Sequence, residues 1–302
     1  MSKMHSPDKA RIRDSFERAV DSYDAAAVLQ REVGARLLER LDPVRMEPRR
    51  ILDVGAGTGW CSEELASRYR KSQIVAFDLA HGMVCRTRNR FGLLKRHLRG
   101  HGFACGDAEH LPFADGCFDL VFSNLTLQWC DLERAFGEFR RVLRPGGLLM
   151  FSTFGPDTLK ELRSSWAEVD RKVHVNEFLD MHHVGDTMVN ARLADPVVDM
   201  EFLTLTYKDV PALMRDLKSI GAQTVRGGRR PTLTGKARVK ALSDAYERFR
   251  RDGRLPSTWE VVYGHAWAPE NVPQQRTEAG TTGITFEQLK GTLTSGSGYP
   301  PF

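Results

Sequence analysis

The chain has 302 residues, 41% apolar and 27% charged, ordinary proportions for a globular protein of one large domain or one domain with a second lobe. Its net charge of +5 and pI near 9.0 suit an acidic partner, nucleic acid or an acidic carrier protein, without requiring either. No run of 18 apolar residues and no apolar N-terminal core occurs, so we expect no membrane span, no secretion signal and a cytoplasmic location. The five cysteines, odd in number and without a Cys-x-x-Cys pair, are expected to be reduced thiols, with no disulfide frame and no metal site.

Residues 8–41 read as an amphipathic helical stretch. Ile12, Phe16, Ala19, Val20 and Tyr23, then Val28, Leu29, Val33, Leu37, Leu38 and Leu41, recur at helical spacing until Pro43 and Pro48. Such a leading helix is either plain packing or a lid over a pocket. Tyr23 distinguishes the two, since a tyrosine on the stripe serves the core or offers its hydroxyl to a ligand. Ile51–Val54 then reads as a buried strand running into a turn with Gly55, Gly57 and Gly59, followed by a helix from Cys61 to Tyr69. Ile74–Phe77 is a second buried strand ending in Asp78, and a helix follows through Met83 to Leu94. A short strand at Gly102–Cys105 leads into Gly106-Asp107-Ala108-Glu109-His110-Leu111-Pro112-Phe113. Phe118–Ser123 is a fourth strand, Leu132–Leu143 an amphipathic helix closed by Pro145-Gly146-Gly147, and Leu148–Ser152 a fifth strand. Strand–helix alternation at these lengths predicts a parallel sheet with helices on both faces, an α/β fold.

The rhythm changes from Gly155. Residues 156–195 read as mainly helical and polar with no core strand. Glu201–Tyr207 reads as a strand and Pro211–Ile220 as a helix. A basic loop, Arg226-Gly227-Gly228-Arg229-Arg230-Pro231, precedes a helix over 236–251 and a last strand, Thr258–Ala268. The expected organisation is an N-terminal helical lid segment (1–45), a main domain (46–268) with lid insertions near 156–200 and 222–255, and a disordered tail (269–302) rich in Gly, Thr, Ser and Pro.

The glycine turn carries the first chemistry. Glycines allow a ligand to approach the backbone because no Cβ intervenes. A dinucleotide fingerprint would need glycine at position 60, where Trp60 stands, and a P-loop would need Gly-Lys-Ser/Thr, which is absent. What remains is an acid, Asp53, two residues before the first of three alternate glycines. A carboxylate there suits a cationic ligand group, such as the amino group and sulfonium of S-adenosylmethionine, better than a pyrophosphate. Asp78, about 20 residues on at a strand end, can bridge two ribose hydroxyls. Each acid could instead be a surface residue capping the next helix.

Four elements in order resemble the class I S-adenosylmethionine-dependent methyltransferases over residues 51–153. They are the Asp53 glycine turn, the strand-ending Asp78, the Gly106–Phe113 segment and the Leu143-Arg144-Pro145-Gly146-Gly147-Leu148-Leu149 turn. The resemblance implies a seven-stranded, mostly parallel Rossmann-like sheet with helices on both faces and a helical lid. It implies S-adenosylmethionine as methyl donor and no metal. It also implies that Gly55, Gly57 and Gly59 line the methionine and ribose, Asp78 holds the ribose hydroxyls, and Asp107 accepts from the adenine amino group beside the Ala108 N–H. Asp53, Leu79 and Asn124 complete the implied cofactor contacts. Outside that core, Ser123-Asn124-Leu125-Thr126-Leu127-Gln128-Trp129-Cys130, Phe16-Glu17-Arg18-Ala19 with Tyr23, Leu217–Ala222, Gly228-Arg229 and Leu255-Pro256-Ser257-Thr258 are similar to the malonyl-[acyl-carrier protein] O-methyltransferases of biotin synthesis. Related respiratory-complex assembly factors share part of this.

That narrower resemblance implies an enzyme that methylates a free malonyl carboxylate on an acyl-carrier protein. A carboxylate is ionised at neutral pH and needs no catalytic base, so positioning alone is expected to carry the reaction. Arg229, by a fork-shaped pair of hydrogen bonds, and Tyr23, by its hydroxyl, are the candidate malonyl clamps; for Arg229 the alternative is a solvated basic loop. His174 is expected as a satisfied lid histidine. The rival readings are a scaffold or assembly protein that keeps the cofactor fold and, from the pI alone, a nucleic-acid methyltransferase. The scattered arginines offer no contiguous basic face with stacking aromatics, so no nucleic acid and no membrane are expected as partners.

Overall fold

A computed structural model describes residues 8–92, 99–221 and 235–270. Helices α1 (Lys9–Ala26) and α2 (Val28–Glu39) precede the sheet. Then follow β1 (Arg50–Val54), α3 (Trp60–Arg68), β2 (Gln73–Asp78), α4 (His81–Arg90), β3 (Gly102–Cys105), β4 (Phe118–Ser123), α5 (Leu132–Val142) and β5 (Leu143–Phe154). The second half contains α6 (Lys160–Val169), α7 (Met181–Asn190), β6 (Ala194–Tyr207), α8 (Val210–Ser219), α9 (Lys236–Tyr246) and β7 (Leu255–Trp267).

The seven strands form one sheet in the order β3-β2-β1-β4-β5-β7-β6. All neighbouring pairs among β3, β2, β1, β4 and β5 are parallel, and β7 runs antiparallel between β5 and β6. Central strands read as continuous apolar runs because helices cover both faces: Ile51–Val54 and all of Phe118–Ser123 are buried. One core cluster joins Leu29, Val33 and Leu37 of α2 to Leu65, Phe122 and Met150; the other packs Phe136 and Phe139 of α5 against Val121, Leu149 and Phe151. Helix α5 shows why such a segment folds. The Asp131 side chain caps it by accepting the Arg134 N–H, and Leu132, Ala135, Phe136, Phe139 and Val142 supply one buried stripe.

Four expected boundaries differ. The stretch 8–41 is two helices, broken at Ala27. The Asp24 carbonyl, which a continuous helix would give to the Val28 N–H, accepts instead from Arg31 Nη1 at 2.5 Å. Pro145-Gly146-Gly147 does not separate helix from strand, because the chain is already extended from Leu143, with an irregular register between Phe118 and Leu120. Strand β6 begins at Ala194 rather than Glu201. It is an edge strand whose exposed Asp195, Val197 and Asp199 disguise the alternation. Helix α9 ends at Tyr246 and gives way to a 3₁₀ turn, Glu247–Phe249, and β7 starts at Leu255. The basic loop 226–231 and the tail beyond 270 lie outside the described residues. Among the described residues no helix is long and apolar enough to cross a membrane, and no cluster of His, Cys, Asp and Glu could hold a metal.

Candidate functional site

The sheet order reverses direction between β1 and β4, so the loops after these two strands diverge and leave a crevice at their C-terminal ends. The glycine turn sits there. Gly55, Gly57 and Gly59 all have positive φ (72°, 56° and 86°), but for different neighbours. A Cβ on Gly55 would lie 1.9 Å from Thr126 Oγ1, and one on Gly59 would lie 2.5 Å from Thr87 Cγ2. Those two glycines let protein pack on protein, and Gly59 also caps α3. A Cβ on Gly57 would meet nothing nearer than the Tyr23 ring at 3.7 Å, so of the three only Gly57 has open space where a side chain would stand.

Two acids stand at adjacent strand ends. Asp53 is almost wholly buried and accepts a hydrogen bond from Ser62 Oγ. Asp78 accepts the Gly57 N–H on Oδ2 and the Ala80 N–H on Oδ1, both at 2.8 Å. Among the described residues neither has a cation within ion-pair distance. Burial raises the Asp53 carboxyl to about 7, against the Ser62 hydrogen bond and with help from Asp78. Burial likewise raises Asp78 to about 6, with its backbone donors pulling the other way. A cationic ligand at these strand ends would offset the burial cost of both.

Two adjoining cavities extend from the turn. The larger, about 630 Å³, is bounded by Leu79, Asp78, Asp107 and Ala108 on one side and Thr126 and Trp129 on another. Lys9, Ile12, Phe16 and Tyr23 of α1 roof it. The smaller, about 440 Å³, holds Asp53, Ala56, Gln30 and Arg31. Tyr23, Gly55, Gly57 and Asn124 border both, so Tyr23 overhangs the junction. Burial, then the nearby Asp78 charge, raises the Tyr23 phenol, which therefore stays protonated and acts as a donor.

Helix α1 thus lies over the cavity as a roof. Phe16 meets the Trp129 ring edge-on at 5.7 Å. Lys9 Nζ bridges Asp107 Oδ1 at 3.0 Å and Glu109 Oε1 at 2.5 Å. The Glu17 carboxylate accepts the Gly82 N–H in the first turn of α4, and Asp24 accepts from Thr58 Oγ1 and pairs with Arg90 at 3.0 Å.

Of the residues singled out from the sequence, Tyr23, Gly55, Gly57, Asp78, Leu79, Asp107, Ala108 and Asn124 meet around the larger cavity, and Asp53 lines the smaller. Gly59 lines neither, for the packing reason above. Asn124 is committed to protein partners: its Nδ2 donates to the Gln30 carbonyl and its Oδ1 accepts from Ser152 Oγ. Arg229 lies outside the described residues. The His174 side chain is buried, stacked 3.7 Å from the Trp166 ring and bonded through Nε2 to Asp170. Lys9, Gln30, Arg31 and Trp129 were not singled out individually. Lys9 stands seven and fourteen residues before Phe16 and Tyr23, a spacing that keeps one helix face and could have found it.

A family model described as a methyltransferase domain matches residues 52–151. The chain is 51% identical to a malonyl-[acyl-carrier protein] O-methyltransferase of Methylovorus sp. (strain MP688), over 87% of this chain and 90% of the relative. It is 48% identical to the protein of that name from Laribacter hongkongensis, over 95% of this chain and 98% of the relative. Among solved structures, a putative methyltransferase of Bacillus halodurans aligns with TM-score 0.55 at 18% identity, over 78% of this chain and 98% of that one. Haemonchus contortus phosphoethanolamine N-methyltransferase 2 in complex with S-adenosyl-L-methionine aligns with TM-score 0.52 at 18% identity, over 86% of this chain and 60% of that one. These two structures share the fold.

Proposed function

The chain belongs to the malonyl-[acyl-carrier protein] O-methyltransferases, and from that membership we propose that it methylates the free carboxylate of a malonyl group held on an acyl-carrier protein, with S-adenosylmethionine as donor. One observation carries the reading: the likeness to these relatives runs through the N-terminal roof and the segments after β5 as well as the cofactor half. The ester so made would be the starting unit for pimeloyl and biotin synthesis, since masking the far carboxylate removes a charge that chain elongation does not accept.

The residues present fit the donor. The two raised acids, without a cation partner among the described residues, ask for a cation and for hydroxyl donors, and a Cβ at Gly57 would fill the space the ligand needs. Asp78 would take the ribose hydroxyls beside Leu79, and Asp107 with the Ala108 N–H would take the adenine edge. The smaller cavity suits the amino-acid end: Arg31 for its carboxylate, and Asp53 with the buried Gln30 Oε1, which has no partner among the described residues, for its ammonium. When bound, the donor supplies a methyl on a sulfonium and leaves as a neutral thioether while the malonyl oxygen forms the new O–CH₃ bond.

The protein's own contribution is positioning and exclusion of water. The acceptor is ionised at neutral pH, so no residue has to remove a proton. Tyr23, kept as a neutral donor over the junction, would orient the acceptor oxygen, with Arg229 as the candidate cation for the rest of the carboxylate. Incubation with methyl-labelled S-adenosylmethionine and malonyl-carrier protein should give base-labile label on the carrier and a single added methyl by intact mass. Label on a protein nitrogen, or none on the carrier, would overturn the reading.

A further inference from the structure

Lys9 stands at the start of the roof helix, far in sequence from the Asp107 segment, yet its ammonium lies between two carboxylates of that segment. It is 3.0 Å from Asp107 Oδ1 and 2.5 Å from Glu109 Oε1. The Glu109 side chain is nearly buried, 3% exposed, and its Oε1 also accepts the Asp131 N–H at 2.8 Å, which ties it to the start of α5. Lys9 is the only cation within ion-pair distance of either acid among the described residues. Without it, a fixed buried carboxylate would repel a second one only two residues away.

The consequence falls on Asp107. Its Oδ1 is fully occupied, accepting from Lys9 Nζ and from the Glu109 N–H at 3.1 Å. Its Oδ2 has no partner among the described residues, although Asp107 lines the larger cavity. A carboxylate pinned through one oxygen presents the other as a fixed acceptor. Such an acceptor selects a ligand N–H and disfavours a ligand carbonyl at the same place.

We propose that Lys9 is a positioning residue for base recognition: by clamping Asp107 Oδ1 it fixes Oδ2 as the acceptor that recognises the 6-amino group of the cofactor's purine. This rests on the reading that Asp107 faces the adenine edge. It also makes the roof a part of the specificity of the site, because the cation that sets the acceptor arrives only when α1 is in place.

Calorimetric affinities for S-adenosylhomocysteine and its 6-deamino analogue, in which hydrogen replaces the 6-amino group and N1 remains an acceptor, provide the test. The unmodified protein should prefer the amino ligand by roughly tenfold or more, as expected for a hydrogen bond to a charged acceptor. In Lys9→Met the preference should fall below about threefold through loss of the amino ligand's affinity, and Lys9→Arg, which can still bridge both acids, should restore it. A merely structural latch would weaken both ligands by the same factor, so an unchanged ratio in Lys9→Met overturns the proposal. Asp107→Ala separates the two levels. If it too leaves the ratio unchanged, the adenine reading itself fails. If it abolishes the preference while Lys9→Met does not, the adenine reading stands and only the role of Lys9 falls.

Discussion

Three glycines two residues apart do different work, and side-chain replacement should separate them. Gly55 and Gly59 face Thr126 and Thr87 at distances no Cβ tolerates, so Ala at either should lower the unfolding temperature before any ligand is added. Gly57 faces the cavity, so Gly57→Ala should cost the fold only the roughly 1 kcal/mol of a non-glycine at positive φ while removing most cofactor binding. Equal loss of thermal stability in all three would contradict this. Asp78→Ala should weaken S-adenosylhomocysteine by about 1–3 kcal/mol with the fold intact, because a strand-end carboxylate contributes little core. The raised acids add a pH signature. Asp53, at about 7 in the ligand-free fold, holds a proton through pH 4–7 that the unfolded chain has released. Its contribution therefore disfavours the ligand-free fold increasingly as pH rises across that window. A cationic ligand reverses the shift and expels the proton, so affinity should climb with pH to about 7 and then level. Calorimetry at pH 6.5 in two buffers of different ionisation heat should show net proton release; zero release would remove the cation from beside Asp53. With cofactor saturating, kcat should stay flat from about pH 6 to 9, since the acceptor is ionised throughout. A tenfold rise per unit would point to an amine or phenol acceptor.

Helix α1 is the element on which the site depends, and the sequence showed its helical stripe and Tyr23 but neither its end at Ala27 nor the tie made by Lys9. The strands β1, β2 and β4 could be read directly because their signal is local: a short apolar run (residues 51–52, 74–77 or 120–122) followed by Asp53, Asp78 or Ser123 says both strand and site edge. The break at Ala27 could not, because it follows from Arg31 reaching back to the Asp24 carbonyl. Nor could Lys9, Gln30 and Arg31 be assigned, since each acquires meaning only once α1 and α2 lie across the crevice. The early start of β6 was hidden by its place at the sheet edge, where exposed Val197 and Phe202 break the inside–outside rule. The polar ties of the roof at Lys9, Glu17 and Asp24 are half-buried, and the Ser15 and Ser22 hydroxyls add hydrogen bonds to the Gly221 and Ser219 carbonyls; the proposed donor and its thioether product would pass only if these ties opened. Hydrogen exchange over residues 9–26 should therefore be fast in the ligand-free protein and slow markedly with S-adenosylhomocysteine, while β4 and the buried part of β5, residues 148–154, change little. Uniform slowing across all these segments would mean that the ligand stabilises the whole fold without closing α1.

At the scale of the whole molecule the charges divide by depth. Asp24, Asp53, Asp78 and Asp107 line the two cavities against Lys9 and Arg31, so the excess of 44 Lys+Arg over 39 Asp+Glu is carried by the rest of the chain. An acidic carrier protein meeting this surface gains little from so small an excess unless basic residues are concentrated near the acceptor path. The sequence concentrates them at Arg226, Arg229 and Arg230, which lie outside the described residues. Exposed charges act on encounter and are screened beyond roughly 8–10 Å at physiological salt. Replacing Arg226 and Arg230 by Ser should thus raise KM for malonyl-carrier protein and flatten its salt dependence, with kcat hardly altered and malonyl-coenzyme A little affected. Arg229, if it is the malonyl clamp, acts on a group common to both acceptors. Arg229→Ala should lower kcat/KM for the carrier and for coenzyme A alike, by roughly ten- to a hundredfold, the loss expected for a charge-assisted pair. Steady-state kinetics of the three variants on both acceptors at low and high salt would decide it. Identical behaviour of all three on both acceptors would make the segment a solvated basic turn and return the clamp to Tyr23.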